Sequence, residues 1–520
     1  MAVLSTPWIA ALFAIWFCFL YLSYKGQPKG LWVLALANTG ERFGYYTMLA
    51  VFALFLGENF GFKAGTASEI YTWFLTMVYF LPLFGGMLAD KFGYSKMVVI
   101  GILIMFGGYF LLSLPLGGGS TAVVAMGVAL ALISAGTGLF KGNLQVMVGD
   151  LYNAPEFADK RDSGFSLFYM AINVGALFAP TAAIKVMEWG QNSFGYSHAD
   201  SYHFAFAVAC VSVVFSILIF FLGRPLYKHI LGTVKEKAVT ASAVAEEDPK
   251  ETKERIVCLC LVFAVVIFFW MAFHQNGLTL TWFADEFTAT KTSGLQSMMF
   301  DVRNLLACIF IVYGLFGIFQ NKGTARALAA LMILAGGAFL WMMFPRNGEV
   351  TSISAPIFQQ FNACFVVMLT PVSIAIFSWL AGKGKEPKAP FKIGLGMLVA
   401  AGAYLLMTVC SIGLPATDHP NHVADCSPDL LVSTYFILTF AELLLSPIGI
   451  SFVSKVAPAK YKGLMMGGWF VATALGNKLV SIPGHMWDMP LPVVWGALMG
   501  ICLLAAAFIF SILKKLNKVA

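Results

Sequence analysis

Five ionisable residues lie inside long apolar stretches of the sequence: Glu41, Arg42, Lys141, His274 and Glu442. A charged side chain near the centre of a bilayer costs about 2.5 to 3.5 kcal/mol even on the most lenient scale, so such residues usually face a cavity or a partner. Arginine and lysine hold carboxylates, and a carboxylate holds an amine. These residue types therefore predict a polar site for a ligand with charged ends, and the imidazole adds a group that titrates near neutral pH.

The spacing around residue 42 suits an anionic group. Asn38, Arg42, Tyr45 and Tyr46 share one helical face at separations of three and four. Because adjacent helical residues point about 100° apart, we expect Glu41 and Arg42 not to neutralise each other side by side and each to need a partner elsewhere. The alternative is that they belong to buried pairs that tie helices together.

The charges fall into two poles. Arg42 and Lys141 make a basic pole early in the sequence, and Glu442 makes an acidic pole late in it. This separation suits a zwitterion, which a peptide and an amino acid both are. Lys141 could instead snorkel towards the nearer membrane surface. His274 could be a hydrogen-bonded residue between helices, although the Gln-Asn pair after it indicates a polar break in an apolar run.

The composition requires a membrane. Of 520 residues, 59% are hydrophobic and 11% are charged, whereas a soluble domain carries about 25% charged residues. Apolar runs recur that are long enough to cross a hydrocarbon core of about 30 Å as helices. The net charge of +7 comes from basic residues in alternate loops and forms no single tract, so we expect lipid and no nucleic acid as a partner.

The apolar runs predict two six-helix halves of an all-α integral membrane protein, as in the major-facilitator plan. The first six segments are 31–57, 66–89, 97–115, 121–149, 164–188 and 202–222. The second six are 256–284, 356–381, 391–413, 430–454, 463–485 and 491–513. We therefore predict an N-terminal half at 30–222, a charged cytoplasmic linker at 223–255 and a C-terminal half at 256–520.

Three further apolar segments stand outside this count. Segments 302–320 and 324–344 form a helix pair between core helices 7 and 8, and a pair preserves the sidedness of everything after it. Segment 8–24 is followed by Lys25 and Lys29, which favours a retained helix with its N-terminus outside, within an extra element at 1–29. A cleaved signal peptide is the alternative.

The loops and the reactive residue types complete the expectations. Basic loops fall on one predicted side, which places the linker and the C-terminus in the cytoplasm of a bacterium and the chain in its inner membrane. The nine cysteines show neither a disulfide framework nor a metal spacing. No HExxH or GxSxG motif occurs, so we expect no enzyme, metal or cofactor.

Several sequence blocks are typical of one family. NTGERFGYY at 38–46 resembles the ExxERFxYY motif of the proton-dependent oligopeptide transporter family, and FYMAINVGAL at 168–177 is similar to its FYxxINxGSL motif. GTGLFKGNLQVMVGDLY at 136–152 resembles its helix 4 signature. Segments 441–458 and 465–479 resemble its helix 10 and 11 blocks, and GGMLADKFGYSK at 85–96 resembles a general major-facilitator motif. The resemblance spans roughly residues 28–515, less the inserted pair.

This resemblance implies roles for particular residues. Arg42 and Lys141 match positions that receive a peptide carboxylate, while Glu442, Asn173 and Asn362 match those that receive the amino terminus. The aromatic lining would be Tyr45, Tyr46, Tyr79, Trp270, Trp469 and Phe470. Glu41 would belong to the family's proton-coupling cluster. Our own prediction for proton coupling comprises Glu41, Arg42, Lys141, His274 and Glu442. Ordinary helix packing is the alternative for each aromatic residue.

Three features depart from the family pattern. Asn38 replaces the first glutamate of its motif, and His274 stands near where helix 7 usually offers an acid. The inserted pair lies between helices 7 and 8, whereas bacterial members usually carry theirs between helices 6 and 7. We expect a monomeric proton-coupled symporter that imports di- and tripeptides by alternating access. The alternatives are a carrier of another anion or zwitterion, such as nitrate or an amino acid, and a receptor without turnover.

Overall fold

The computed structural model describes residues 26–157, 160–231, 248–345, 349–415, 419–420, 422–458 and 461–519. The predicted N-terminal helix at 8–24 and residues 232–247 of the predicted linker lie outside the described residues.

The first group of helices ends before the linker. It consists of α1 (Lys29–Phe60), α2 (Ala64–Phe80), α3 (Pro82–Phe92), α4 (Tyr94–Leu112), α5 (Ser120–Asp150), α6 (Arg161–Phe194), α7 (His198–Leu222) and the short α8 (Arg224–Tyr227). Helices α2 and α3 together make one span, which is divided at Leu81. Helix α1 packs against α6 and α7, and α4 packs against α5.

The second group follows the linker. It consists of α9 (Pro249–Phe273), α10 (Thr279–Glu286), α11 (Leu295–Met299), α12 (Val302–Gln320), α13 (Gly323–Met343), α14 (Gln359–Gly382), α15 (Ala389–Cys410), α16 (Pro428–Val456), α17 (Lys462–Leu479), α18 (Ser481–His485), α19 (Leu491–Ser511) and α20 (Leu513–Val519). Strands β1 (Lys291–Thr292) and β2 (Thr351–Ser352) pair antiparallel beside the inserted helices. The two groups meet where α17 packs on α2 and α14 packs on α6.

The predicted all-α membrane class is confirmed. In the described part of the chain, twelve helical spans are long and apolar enough to cross a membrane. Helices α1 and α17 fall outside that set because polar and charged residues interrupt them, yet both pack inside the bundle. The bundle therefore contains the twelve predicted core helices and the inserted pair.

The inserted pair, α12 and α13, lies between α10 and α14 as predicted. The two helices pack on each other, and α12 also contacts α14 and α6. The helix order brings the loop residues 151–157, 321–322, 383–388 and 457–458 to one end of the bundle, here called the basic end. The loop residues 61–63, 195–197, 287–301 and 411–415 lie at the opposite end.

The polar break predicted around residue 274 is a change of helix type. Helix α9 ends at Phe273, and a 3₁₀ turn spans His274–Gly277 before α10. Gln275 is buried in this turn and donates to the carbonyl groups of Met271 and Val480 at 3.0 and 3.2 Å. Such side-chain bonds satisfy backbone groups that a broken helix frees within a membrane.

Two glycines set the contact between α4 and α5. A Cβ atom at Gly101 would lie 2.6 Å from the carbonyl oxygen of Gly136, and one at Gly136 would lie 2.5 Å from that of Gly101. We expect Gly136→Leu to destabilise the protein by about 1 to 3 kcal/mol or more, because backbone must move to admit the side chain. Thermal unfolding in detergent measures this.

Gly127 on the same helix is the matched control, because a Cβ atom there meets nothing within 4 Å. Gly127→Leu should leave the melting temperature near that of the unaltered chain. Equal melting temperatures for the two variants would contradict the packing argument.

Candidate functional site

The two adjacent charges on α1 form a buried ion pair. Nε of Arg42 lies 2.5 Å from Oε2 of Glu41, and Nη2 lies 2.6 Å from Oε1. Arg42 is 3% exposed and Glu41 is 0% exposed. Our prediction that these residues would not neutralise each other was wrong, because the long arginine stem lets the guanidinium fold back and bind both carboxylate oxygens.

Aromatic rings surround this pair. The ring of Tyr45 lies 4.5 Å from the guanidinium carbon of Arg42, and the rings of Tyr45 and Tyr46 meet edge to face at 5.2 Å. Tyr45 is also stacked near Phe74 of α2 at 6.2 Å and is buried. The guanidinium of Arg42 therefore packs on the face of the buried Tyr45 ring. Tyr46, in contrast, is only half-buried.

Lys141 of α5 completes the basic pole. Its Nζ lies 3.8 Å from the centre of the Tyr79 ring of α2. Glu41 and Arg42 are its electrostatic neighbours. The ammonium group therefore lies inside the bundle, where the cation and the ring attract each other, and not at a membrane surface.

The acidic pole belongs to α16. Glu442 is 8% exposed, and its Oε2 accepts a hydrogen bond from Nδ2 of Asn362 at 3.1 Å. Asn362 also donates to the hydroxyl of Thr439 at 3.0 Å. Asn173, in contrast, donates to the carbonyl of Tyr169 in its own helix at 3.1 Å. The structure thus brings Asn362 onto Glu442 and holds Asn173 on α6.

Three tyrosines lie between the poles. Tyr46 is in electrostatic range of both Arg42 and Glu442. Tyr169 has Glu442, Tyr46 and Tyr79 as electrostatic neighbours, and its side chain is 45% exposed although it lies between helices. Tyr169 therefore lines an opening between the two groups of helices. Our sequence-based site omitted it, although it stands four residues before Asn173 on the same helical face.

His274 lies beside the basic pole. Its ring stacks on Trp270 at 4.9 Å and lies 6.1 Å from the ring of Tyr79. Its Nδ1 is 2.5 Å from Oδ1 of Asn477 on α17. The ring is also in electrostatic range of Lys141. The buried Nε1 of Trp270 has no hydrogen-bond partner among the described residues.

The two aromatic residues predicted on α17 are placed differently. Trp469 is 3% exposed and packs against Gly449, where a Cβ atom would lie 2.5 Å from Cζ3 of the indole. Phe470 is half-buried. Trp469 thus acts as packing between α16 and α17. Within the described residues, no group of three or more His, Cys, Asp or Glu side chains could hold a metal ion.

Polar contacts join the two groups of helices between the charged poles and the end of the bundle opposite the basic end. Lys478 pairs with Glu69 at 2.5 Å. Thr181 donates to Gln360 at 3.0 Å. The amide of Asn477 also donates to a carbonyl of α2 at 3.3 Å. These bonds hold α17 on α2 and α14 on α6, so the opposite end is closed.

Comparisons with known proteins place this chain in a family. The POT family model matches residues 95–245 and 342–489, which is more than half of the chain. The chain is 29% identical over 493 residues to the peptide transporter YePEPT of Yersinia enterocolitica, covering 89% of each protein. It is 26% identical over 522 residues to a di-/tripeptide transporter of Lactococcus lactis, covering 95% of this chain and 96% of the relative.

A solved structure shares the fold. The crystal structure of the peptide transporter POT in complex with sulfate superimposes with a TM-score of 0.72 at 24% identity, covering 95% of this chain and 96% of that one. The two six-helix halves of the major-facilitator fold are therefore present, with the inserted pair between core helices 7 and 8. The chain belongs to the POT family.

Proposed function

We propose that this chain is a proton-coupled symporter that imports di- and tripeptides by alternating access. The observation that carries the proposal is the pair of opposite poles on the two halves, with tyrosines between them. Arg42 and Lys141 receive the peptide carboxylate, and Glu442, Asn362 and Asn173 receive the amino terminus. Relatives named as peptide transporters over nearly the whole chain support the same substrate class.

The lining of the site follows from the same placement. Tyr45, Tyr46, Tyr79, Tyr169 and Trp270 surround the peptide backbone and side chains, while Trp469 and Phe470 support the α17 wall. Ligand pockets are mostly apolar, and a few polar groups fix the orientation of the ligand. The charged groups here can do so because they would bind the two ends of the peptide.

Coupling arises because the substrate competes with internal partners. In the ion pair on α1, the carboxylate of Glu41 binds the guanidinium of Arg42, which a peptide carboxylate also needs. Protonation of Glu41, Glu442 or His274 changes which charges are paired. It therefore changes the stability of the inward-facing state relative to the outward-facing state. The basic end faces the cytoplasm in this scheme, so the described conformation is closed to the outside.

The remaining features belong to the same proposal. Residues 30–222 and 256–520 are the two rocking halves, and 223–255 is the cytoplasmic linker between them. The chain resides in the inner membrane of a bacterium, with lipid around it and its C-terminus inside. Both poles come from one chain, so a single protomer is the transport unit.

Uptake by purified protein in proteoliposomes tests the function. With an inward proton gradient, labelled di-alanine should accumulate, and a protonophore should abolish the accumulation. Uptake that is unchanged when the gradient is collapsed would refute proton coupling.

A carrier of another anion or zwitterion is the second candidate. Asn38, which replaces a motif glutamate, is buried, and its Nδ2 has no hydrogen-bond partner in the described part of the chain. Competition for uptake by nitrate or a free amino acid, without competition by dipeptides, would favour this candidate. Counterflow of labelled against unlabelled peptide would separate transport from mere binding.

The ion pair that closes the outer end gives a direct prediction. Lys478 and Glu69 are partly exposed, so their pair contributes about 0.2 to 1 kcal/mol to closure. We expect Lys478→Ala to raise the outward-open population by up to about fivefold. The measurement is the rate at which external maleimide labels a cysteine introduced at Thr72, which is buried one turn from Glu69.

Lys185→Ala is the matched control, because Lys185 pairs with Glu188 within a single helix at 2.7 Å. Removing that pair should leave the labelling rate unchanged. The same acceleration in both variants would contradict a gating role for the pair between halves.

A further inference from the structure

Asn477 links a titratable ring to the closed end of the bundle. It is 0% exposed, lies near the end of α17 and makes one polar contact with α2 and one with the 3₁₀ turn at His274–Gly277. Its Nδ2 donates to the backbone carbonyl of Leu75 in α2 at 3.3 Å. Its Oδ1 lies 2.5 Å from Nδ1 of His274. A single amide therefore contacts both halves of the protein.

These contacts decide the proton positions on the ring. A backbone carbonyl only accepts hydrogen bonds, so the amide nitrogen must face Leu75 and the amide oxygen must face His274. That oxygen also only accepts, so Nδ1 of the imidazole must carry a hydrogen. The ring then has Nε2 as the nitrogen that gains and loses a proton, because a neutral imidazole holds one hydrogen in total.

The surroundings of the ring make its protonation state relevant to gating. Tyr79 is four residues after Leu75 on α2 and lies 6.1 Å from the imidazole. Lys141 of α5 lies over the Tyr79 ring and acts electrostatically on His274. At the end of the preceding helix α9, the ring meets Trp270 and Phe273, which carry no charge. Protonation at Nε2 adds positive charge within electrostatic range of Lys141, on a ring that Asn477 ties to α2.

We propose that Asn477 is a positioning residue for His274: it fixes the ring as the Nδ1–H tautomer, directs proton exchange to Nε2 and couples the charge of the ring to the contact between α17 and α2. This inference rests on the proposed proton-coupled transport for its consequence. The tautomer itself is a property of the folded protein that can be observed without transport.

The first test is magnetic resonance on protein with ¹⁵N-labelled histidine. The chain contains seven histidines, and the His274 signal is the one lost in His274→Gln. We expect the neutral ring of the unaltered protein to carry its hydrogen on Nδ1, and Asn477→Ala to release it to a mixture of tautomers. A neutral ring with its hydrogen on Nε2, or a tautomer indifferent to Asn477→Ala, would overturn the assignment.

The second test uses Asn477→Asp, which keeps an acceptor for Nδ1, adds a negative charge and removes the donor to Leu75. An opposite charge in contact favours the protonated imidazole, so the titration midpoint of the His274 signal should rise by about one pH unit or more. The midpoint of the pH profile for di-alanine uptake should rise with it. A shifted resonance midpoint with an unshifted uptake profile would refute the coupling role.

Thr473→Ala is the control for a buried polar deletion in the same helix. Thr473 is 1% exposed and donates only along α17, to the carbonyl of Trp469 at 3.0 Å. This variant should change neither the titration midpoint of the His274 signal nor the midpoint of the uptake pH profile. A shift as large as that of Asn477→Asp would show that any disturbance of α17 produces the effect. If the unaltered protein shows no proton-driven uptake, the proposed function fails while the tautomer result stands on its own.

Discussion

Arg42→Ala is expected to reduce proton-driven di-alanine uptake to background. The substitution removes the guanidinium that receives the carboxylate, and a hydrogen bond to a charged group contributes about 1.5 to 3 kcal/mol, or roughly ten- to hundredfold in affinity. It also leaves Glu41 buried without its partner. Breaking a buried ion pair on one side costs about 3 to 5 kcal/mol of stability. Uptake and thermal unfolding are measured on the same preparation.

The double variant Glu41→Gln with Arg42→Ala separates these two effects. It removes both charges, so most of the stability should return while uptake stays at background. Wild-type uptake in Arg42→Ala would reject the carboxylate assignment. Recovered uptake in the double variant would show that the single variant had failed through misfolding alone.

Glu442→Gln is expected to abolish the preference for a free amino terminus. The substitution keeps the shape of the side chain and an acceptor for Asn362, but it removes the only charge at the acidic pole that the proposal assigns to the amine. A charge-assisted bond is about twice as strong as a neutral one. We therefore expect the affinity for di-alanine, measured by competition for uptake, to fall about tenfold or more, while the affinity for N-acetylated di-alanine changes little.

Asp429→Asn on the same helix is the control. It makes the same change from carboxylate to amide at an exposed position in the first turn of α16. Uptake by this variant should equal that of the unaltered chain. If Glu442→Gln weakens the free and acetylated peptides equally, the acidic pole does not recognise the amine.

The long helices could be predicted from the sequence because each is an apolar run of membrane-spanning length. An apolar run of about twenty residues has few alternatives in lipid, where backbone groups must bond within the segment. The inserted pair α12 and α13 was found on the same basis. The charged residues of the site were equally visible, because a charge in lipid needs an explanation that an apolar residue does not.

The partners of those charges were not predictable in the same way. Whether Arg42 folds back onto Glu41 depends on side-chain torsions and burial, and helix periodicity describes only the direction in which a side chain leaves the backbone. Tyr169 and Asn477 carry no charge, so nothing in composition distinguishes them from packing residues. Their roles depend on neighbours far apart in sequence, such as Glu442 for Tyr169 and Leu75 for Asn477.

The most direct test of peptide and proton symport is the movement of protons caused by peptide alone. Proteoliposomes that contain a trapped pH-sensitive dye, with equal pH on both sides and the membrane potential clamped, are given di-alanine from outside. We expect the lumen to acidify, Arg42→Ala to abolish the acidification and free alanine not to cause it. Entry of labelled di-alanine without any acidification would contradict it.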